Sequence, residues 1–193
     1  LAGCPPDEEL CLFYNDPLRR SPSYPLSTLP ARCIATSSKP WRLAVLDLTT
    51  GQSTPLTQGS YDYEPDWRPD GTWIVYTSVA QSAGQLVSSQ LVAVRPDGSQ
   101  SQALVRVNSG TYTVANPSWS PDGQRIAFDL ASTSSAGELY VFDVRTGTVA
   151  RLLEHLGWND LDPAWSPDGR FIAFASGPLT APTRHDIWML DTV

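Results

Sequence analysis

Pro163 to Ser176 reads PAWSPDGRFIAFAS, and two other stretches are copies of it: Pro65 to Ser78 (PDWRPDGTWIVYTS) and Pro117 to Leu130 (PSWSPDGQRIAFDL). Superposing them aligns Trp67, Trp119 and Trp165, then Asp70, Asp122 and Asp168, then Gly71, Gly123 and Gly169, and then the apolar runs starting at Ile74, Ile126 and Ile172. The period is about 50 residues, a length typical of repeat units that cannot bury their own faces and therefore stack on neighbours. Each Pro-Asp-Gly is a turn. Proline presets φ for the second turn position, aspartate tolerates the third, and glycine takes the positive φ that lets the next strand pair back. The Ile-Ala-Phe type of run that follows hardly alternates, as expected of a strand covered on both faces.

A second pattern follows each copy: strand, glycine-containing turn, strand. It reads LAVLDLTTGQSTPLT at Leu43 to Thr57, LVAVRPDGSQSQALV at Leu91 to Val105 and LYVFDVRTGTVARLL at Leu139 to Leu153, and IWMLDTV at Ile187 to Val193 begins it again. Four antiparallel strands per period, with a large indole at one column packed between sheets, describe a β-propeller blade. The sequence thus predicts an all-β chain of four-stranded antiparallel blades, about four blade equivalents in all. The units fall at 58–108, 109–156 and 157–193, the last lacking its outer strand. A degenerate first unit occupies 1–57. Its WSPDG-type hairpin is placed at Pro6 to Tyr14, with Cys4 in the tryptophan column and Cys11 in the column of Ile172, and a Pro- and Ser-rich surface insertion at about 16–40 separates its halves. The two ends lack strands that do not complement one another, so the expectation is a partial propeller, cut from a larger one or completed by another chain.

Composition agrees with this class. The 193 residues include 17 Pro, 13 Gly, 7 Trp and 7 Tyr, with only 17% charged residues, which suits a turn-rich β protein rather than a coiled coil. A net charge of −7 gives no electrostatic source for gripping nucleic-acid phosphates. No uncharged apolar run approaches the roughly 20 residues that a spanning helix needs.

The WSPDG motif followed by an apolar strand resembles the TolB-type, WD-repeat-like propeller repeat of bacterial periplasmic TolB proteins and other exported propellers. The resemblance is close over Tyr61 to Val193 and weaker before it. It implies an exported, non-enzymatic propeller that binds a protein or peptide partner. Two alternatives accompany it: the gating propeller of a prolyl-oligopeptidase-like peptidase, and a carbohydrate- or cell-wall-binding surface protein using tryptophans such as Trp41 or Trp158. Propellers host all three roles, so the fold alone does not choose.

Motifs for chemistry are sparse. There is no G-x-S-x-G elbow, and the two histidines, His155 and His185, sit in no suggestive sequence context. No cofactor motif is present, and no C-x-x-C spacing or nearby histidine supports a metal site. The three cysteines all lie in the first 33 residues. Leu1-Ala2-Gly3-Cys4 resembles a lipobox, which would make Cys4 a lipidation site; Cys11 and Cys33 are either disulfide partners or, for Cys11, a buried thiol. The remaining candidates precede the tryptophan columns. Asp62, Glu64 and Asp66 alternate along one strand and Asp160 and Asp162 along another, with Asn116 at the equivalent place between. In a blade the first strand lines the channel, so Asp62, Glu64, Asn116, Asp160 and Asp162 are the candidate partner-binding residues at a channel mouth.

Overall fold

The computed structural model describes residues 11–12, 32–36, 42–58, 61–132, 136–181 and 184–192, the first two stretches by backbone alone. The described residues form four antiparallel sheets in chain order. Sheet 1 contains β1 (Cys11–Leu12), β2 (Arg32–Thr36), β3 (Leu43–Asp47) and β4 (Ser53–Pro55). Sheet 2 contains β5 (Asp62–Trp67), β6 (Ile74–Ser82), β7 (Gln85–Val94) and β8 (Gln102–Val107). Sheet 3 contains β9 (Tyr112–Trp119), β10 (Arg125–Ser132), β11 (Glu138–Asp143) and β12 (Thr148–Arg151). Sheet 4 contains β13 (Trp158–Trp165), β14 (Phe171–Pro178) and β15 (Asp186–Asp191).

The WSPDG chemistry operates as its sequence demands. Gly71, Gly123 and Gly169 take φ of 71°, 66° and 73°, and their N–H groups bond back to the carbonyls of Arg68, Ser120 and Ser166. The turn aspartates add a cap: Asp70, Asp122 and Asp168 accept the N–H groups of Thr72, Gln124 and Arg170 at 2.9, 3.0 and 3.1 Å. Where the motif has serine, its hydroxyl oxygen also accepts the N–H that opens the next strand, Arg125 or Phe171, at 2.9 Å in both. For Asp168, the Ser166 hydroxyl and then the Arg170 N–H hold its carboxyl below the usual range.

Successive sheets pack through their inner strands: β5 against β2 and β3, β9 against β5, β6 and β7, and β13 against β9, β10 and β11. The apolar seams are continuous. Leu43, Val45, Ile74, Tyr76, Val92 and Val94 form one cluster, with Leu56 and Trp67 packed on it. Val75, Leu91, Val114, Trp119, Ile126, Phe128 and Phe142 form the next. The second strands face a neighbour on both sides, so Ile74 to Thr77 and Ile126 to Asp129 are buried without alternation.

The first unit departs from its sequence reading. The strand in the Ile172 column is β2, inside the stretch expected to be a surface insertion: Cys33 pairs with Leu46 as Ile74 pairs with Val94 and Ile172 with Leu190. Cys11 lies instead on the two-residue inner strand, opposite Thr36. Cys33 is three positions from Thr36, about 10 Å along a strand, whereas a disulfide needs Cα atoms within roughly 7 Å. This register does not set up a Cys11–Cys33 bridge. The degenerate hairpin failed as a guide because Cys-Ile-Ala-Thr, the true apolar run, lacks a WSPDG turn before it. Cys4 and Trp41 lie outside the described residues.

The tryptophan column yields a stability test. Trp119 is buried at 6% exposure, and its indole Nε1, like those of Trp67 and Trp165, is buried without a hydrogen-bond acceptor. Its contribution is therefore packing. Trp119→Ala should cost about 3–5 kcal/mol in urea unfolding, and Trp119→Phe clearly less, because no hydrogen bond is lost with the N–H. Equal costs for the two would show that the N–H, not the ring volume, matters.

Candidate functional site

An inner strand pairs with the second strand of its sheet along one edge only, so N–H groups on its other edge need acceptors from elsewhere. The preceding sheet supplies them in three tiers. Between sheets 2 and 3, Val114 N–H donates to Ser89 Oγ at 2.9 Å, Asn116 N–H to Glu64 Oε2 at 2.8 Å and Trp119 N–H to Asp66 Oδ2 at 2.6 Å. Between sheets 3 and 4, Asp160 N–H donates to the Gly137 carbonyl at 3.0 Å, Asp162 N–H to Asp129 Oδ2 at 3.0 Å and Trp165 N–H to Ser118 Oγ at 3.3 Å.

The middle tier needs an unusual backbone. Glu64, Asn116 and Asp162 have φ of 54°, 52° and 55°, in the left-handed region, although each precedes a proline that favours extended conformation. Each sits at a register shift in the pairing of its inner strand. This bulge breaks the alternation on which the sequence reading relied. Asp62 and Asp66, expected to share a face, consequently diverge. Asp66 reaches forward to sheet 3. Asp62 lies beside Tyr76 of the cluster shared with sheet 1, where burial first and Asp62 second push the tyrosine up to about 12.

The five candidate residues therefore separate. Asp62 and Asp160 are 2% and 3% exposed and do not line an open mouth. Asp160 accepts the Ser176 hydroxyl and lies 3.2 Å from His155 Nδ1. Glu64, Asn116 and Asp162 do converge, around a residue that sequence reasoning passed over, Asp129. Asn116 Nδ2 donates to Asp129 Oδ2 at 2.7 Å, and Asp129 Oδ1 is buried without a partner. Burial first, with the charges of Asp162 and Glu64 adding to it against two hydrogen bonds, pushes Asp129 up to about 7. Burial likewise raises Glu64. Asp129 was recoverable from the alignment, since it occupies the column of Thr77 and Ala175 as the one acid in an apolar run. Asp162 is the exposed member of the set.

A second cluster surrounds His155. Its ring stacks on Trp158 at 4.7 Å, and Trp188 meets both rings edge-on. The slot beside them, lined by Glu138, Arg151, His155, Trp158 and Asp160, encloses about 60 Å³, far below the several hundred Å³ of a typical small-molecule site. Ser176, Asp160 and His155 occur in an order that places the carboxylate between hydroxyl and imidazole. A nucleophile needs its base adjacent, so this trio does not form a catalytic dyad.

Comparison with known proteins agrees with the fold. Residues 99–183 match the model of the TolB β-propeller domain. The chain is 40% identical over 81 residues to the Tol-Pal system protein TolB of Thioalkalivibrio sulfidiphilus, covering 42% of this chain and 17% of that protein. It is 30% identical over 105 residues to an uncharacterized peptidase, YuxL, of Bacillus subtilis, covering 54% of this chain and 14% of that one. TolB from Acinetobacter baumannii superposes with a TM-score of 0.66 at 20% identity, over 83% of this chain and 38% of the other. Residues 99–183 carry TolB-like β-propeller repeats. The chain spans less than a fifth of the length of these two sequence relatives.

In these TolB-like repeats Asp129 imposes a pH dependence whose direction follows from its raised pKa. The folded state binds the extra proton between about pH 4 and 7, so the contribution is favourable at low pH and is lost as pH rises through 7. Asp129→Asn keeps an oxygen for both donors and removes the charge. The variant should exceed the wild type in stability at pH 8 by roughly 2–4 kcal/mol and lose that advantage at pH 4. Parallel denaturation curves at the two pH values would show that Asp129 is not a buried titrating acid.

Proposed function

We propose that this chain is part of an exported, non-enzymatic β-propeller that acts as a protein-interaction scaffold, with a basic group of its partner attracted to the acidic site at Asp162. The supporting observation is the convergence of Glu64 and Asp162 of the inner strands with Asp129 of β10, in a chain of net charge −7. Low-dielectric walls focus such a field and favour a lysine, an arginine or a peptide amino terminus. The similarity to Tol-Pal system proteins supports the scaffold reading and a periplasmic or extracellular location. The lipobox-like Leu1-Ala2-Gly3-Cys4 supports a lipid anchor at Cys4, and labelled palmitate should enter the exported protein but not its Cys4→Ser variant.

The partner chemistry is tested by panning displayed random peptides on the purified chain. Selected peptides should carry cationic groups, bind about tenfold more weakly between 0.05 and 0.5 M salt, and lose affinity on Asp162→Asn. Selection of uncharged peptides whose binding ignores salt would overturn this reading. The similarity to a Bacillus subtilis peptidase favours a second reading, the gating propeller of a modular peptidase. Turnover of short fluorogenic peptides by the polypeptide that carries this chain, lost when a hydrolase unit on it is inactivated, would favour that reading over the scaffold.

A further inference from the structure

The seam between sheets 3 and 4 is not a copy of the seam between sheets 2 and 3. In the earlier seam Trp73 and Phe142 pack in one cluster with Trp119, which is left only 6% exposed. The repeat alignment places Arg125 in the column of Trp73 and Leu190 in the column of Phe142, while Val141 in the column of Ala93 returns only part of the lost bulk. The later seam is underfilled as a result. A pocket of about 260 Å³, open to solvent on one side, lies between Arg125, Val141 and Leu152 on one wall and Trp165 and Leu190 on the other. It shares no residue with the acidic cluster around Asp129 or with the slot beside His155. Nor does it depend on what pairs with the outer edge of β15. In sheet 3, where β12 holds that place, Val149 stands opposite Phe142 on the same face and is 46% exposed, so an outer strand borders such a seam without filling it.

Arg125 gives this pocket its chemistry. Its guanidinium lies over the Trp165 ring, 4.6 Å from the centroid, and an indole face attracts the charge while leaving the five N–H donors to other acceptors. Arg68, Arg95, Arg106, Arg151 and Arg170 each donate to an oxygen. Among the described residues the Arg125 guanidinium has no such partner. The carboxylates around it are engaged in their own turns: Asp122 accepts the Ser120 hydroxyl and the Gln124 N–H, Asp143 accepts Thr146, and Asp191 at the rim is paired with Arg170. We infer that the pocket is a binding site for a carboxylate that carries one branched or aromatic apolar side chain, with the carboxylate on Arg125 and the side chain among Val141, Leu152 and Leu190. One guanidinium in an otherwise apolar lining balances a monoanion, whereas a phosphate dianion would bring a charge that nothing there compensates. The volume lies below the several hundred Å³ of a drug-sized site and suits a ligand the size of one residue. The C-terminal residue of a peptide and a free branched or aryl acid both present this chemistry.

The probes are N-acetyl-leucine, which copies a peptide terminus, and 4-methylpentanoate, a free acid, with N-acetyl-leucinamide and inorganic phosphate as controls. Binding to the full chain is read by NMR from the indole N–H resonance of Trp165, assigned by its loss in Trp165→Phe. Both acids should shift that resonance saturably. The amide should bind about tenfold more weakly than N-acetyl-leucine, and both acids should lose a similar factor on Arg125→Gln. The order of affinity of the two acids names the source of the ligand, and either order upholds the site. Leu190→Phe and Arg125→Trp restore the bulk present between sheets 2 and 3, so each should abolish the shift while leaving the melting temperature at or above that of the wild type, which separates a filled pocket from a damaged seam. Absence of a shift with both acids would overturn the inference. So would equal binding of the amide, displacement of the acids by phosphate, or binding that persists in Arg125→Gln and Leu190→Phe.

Discussion

The edge N–H groups of the inner strands constrain everything else. Each inner strand is hydrogen-bonded on one side by its own sheet, and its other edge is buried against the preceding sheet, where water cannot serve it. An orphaned buried amide costs about 1–3 kcal/mol, so three per interface would consume much of the 5–15 kcal/mol by which a domain is stable. Ser89, Glu64 and Asp66, and then Gly137, Asp129 and Ser118, accept them at 2.6–3.3 Å. Apolar packing brings the sheets together; these acceptors fix their register.

The acceptors are exchanged between columns without loss of function. In sheet 2 the middle-tier carboxylate belongs to Glu64, steadied by Thr77 Oγ1 at 3.2 Å. In sheet 3 it belongs to Asp129, steadied by Asn116 Nδ2 at 2.7 Å. The carboxylate has moved from the inner to the second strand, and its polar neighbour has moved the opposite way. One carboxylate satisfies each middle-tier amide, and the neighbouring carboxylates repel it. Even one is costly when buried, which is why Glu64 and Asp129 are both raised. For the same reason most of the acidic column serves the fold, and Asp162 is the member left facing solvent.

The repeat, its turns and the packed tryptophan column were legible because they depend on local rules: proline and glycine torsions, Asx caps, and apolar runs of fixed spacing. The direction of the acidic side chains was not. Reading Asp62, Glu64 and Asp66 as one face assumed an unbroken two-residue alternation, and the bulge at Glu64 reverses it. No local signal announces that bulge, since a residue before proline ordinarily avoids the left-handed region. At the equivalent Asn116 and Asp162 the N–H is held by a carboxylate of the preceding sheet, against a typical strain of about 1–3 kcal/mol. The first unit was misread for a related reason: β2 carries the apolar run but not the motif, and its identity lies in its pairing with β3.

The acceptor arrangement also gives sheet 3 a polarity. One face offers side-chain and carbonyl oxygens, and the opposite face offers the N–H groups of an inner strand with its tryptophan. Two acceptor faces brought together would leave carboxylates opposed and no amide satisfied. Head-to-tail addition satisfies both sets. Contacts of that kind are heterologous, and they end only when the rotation per unit closes a ring. The glutamate, aspartates and asparagine beside the prolines thus do more than cap strands: they determine which face of a blade the next one can recognise.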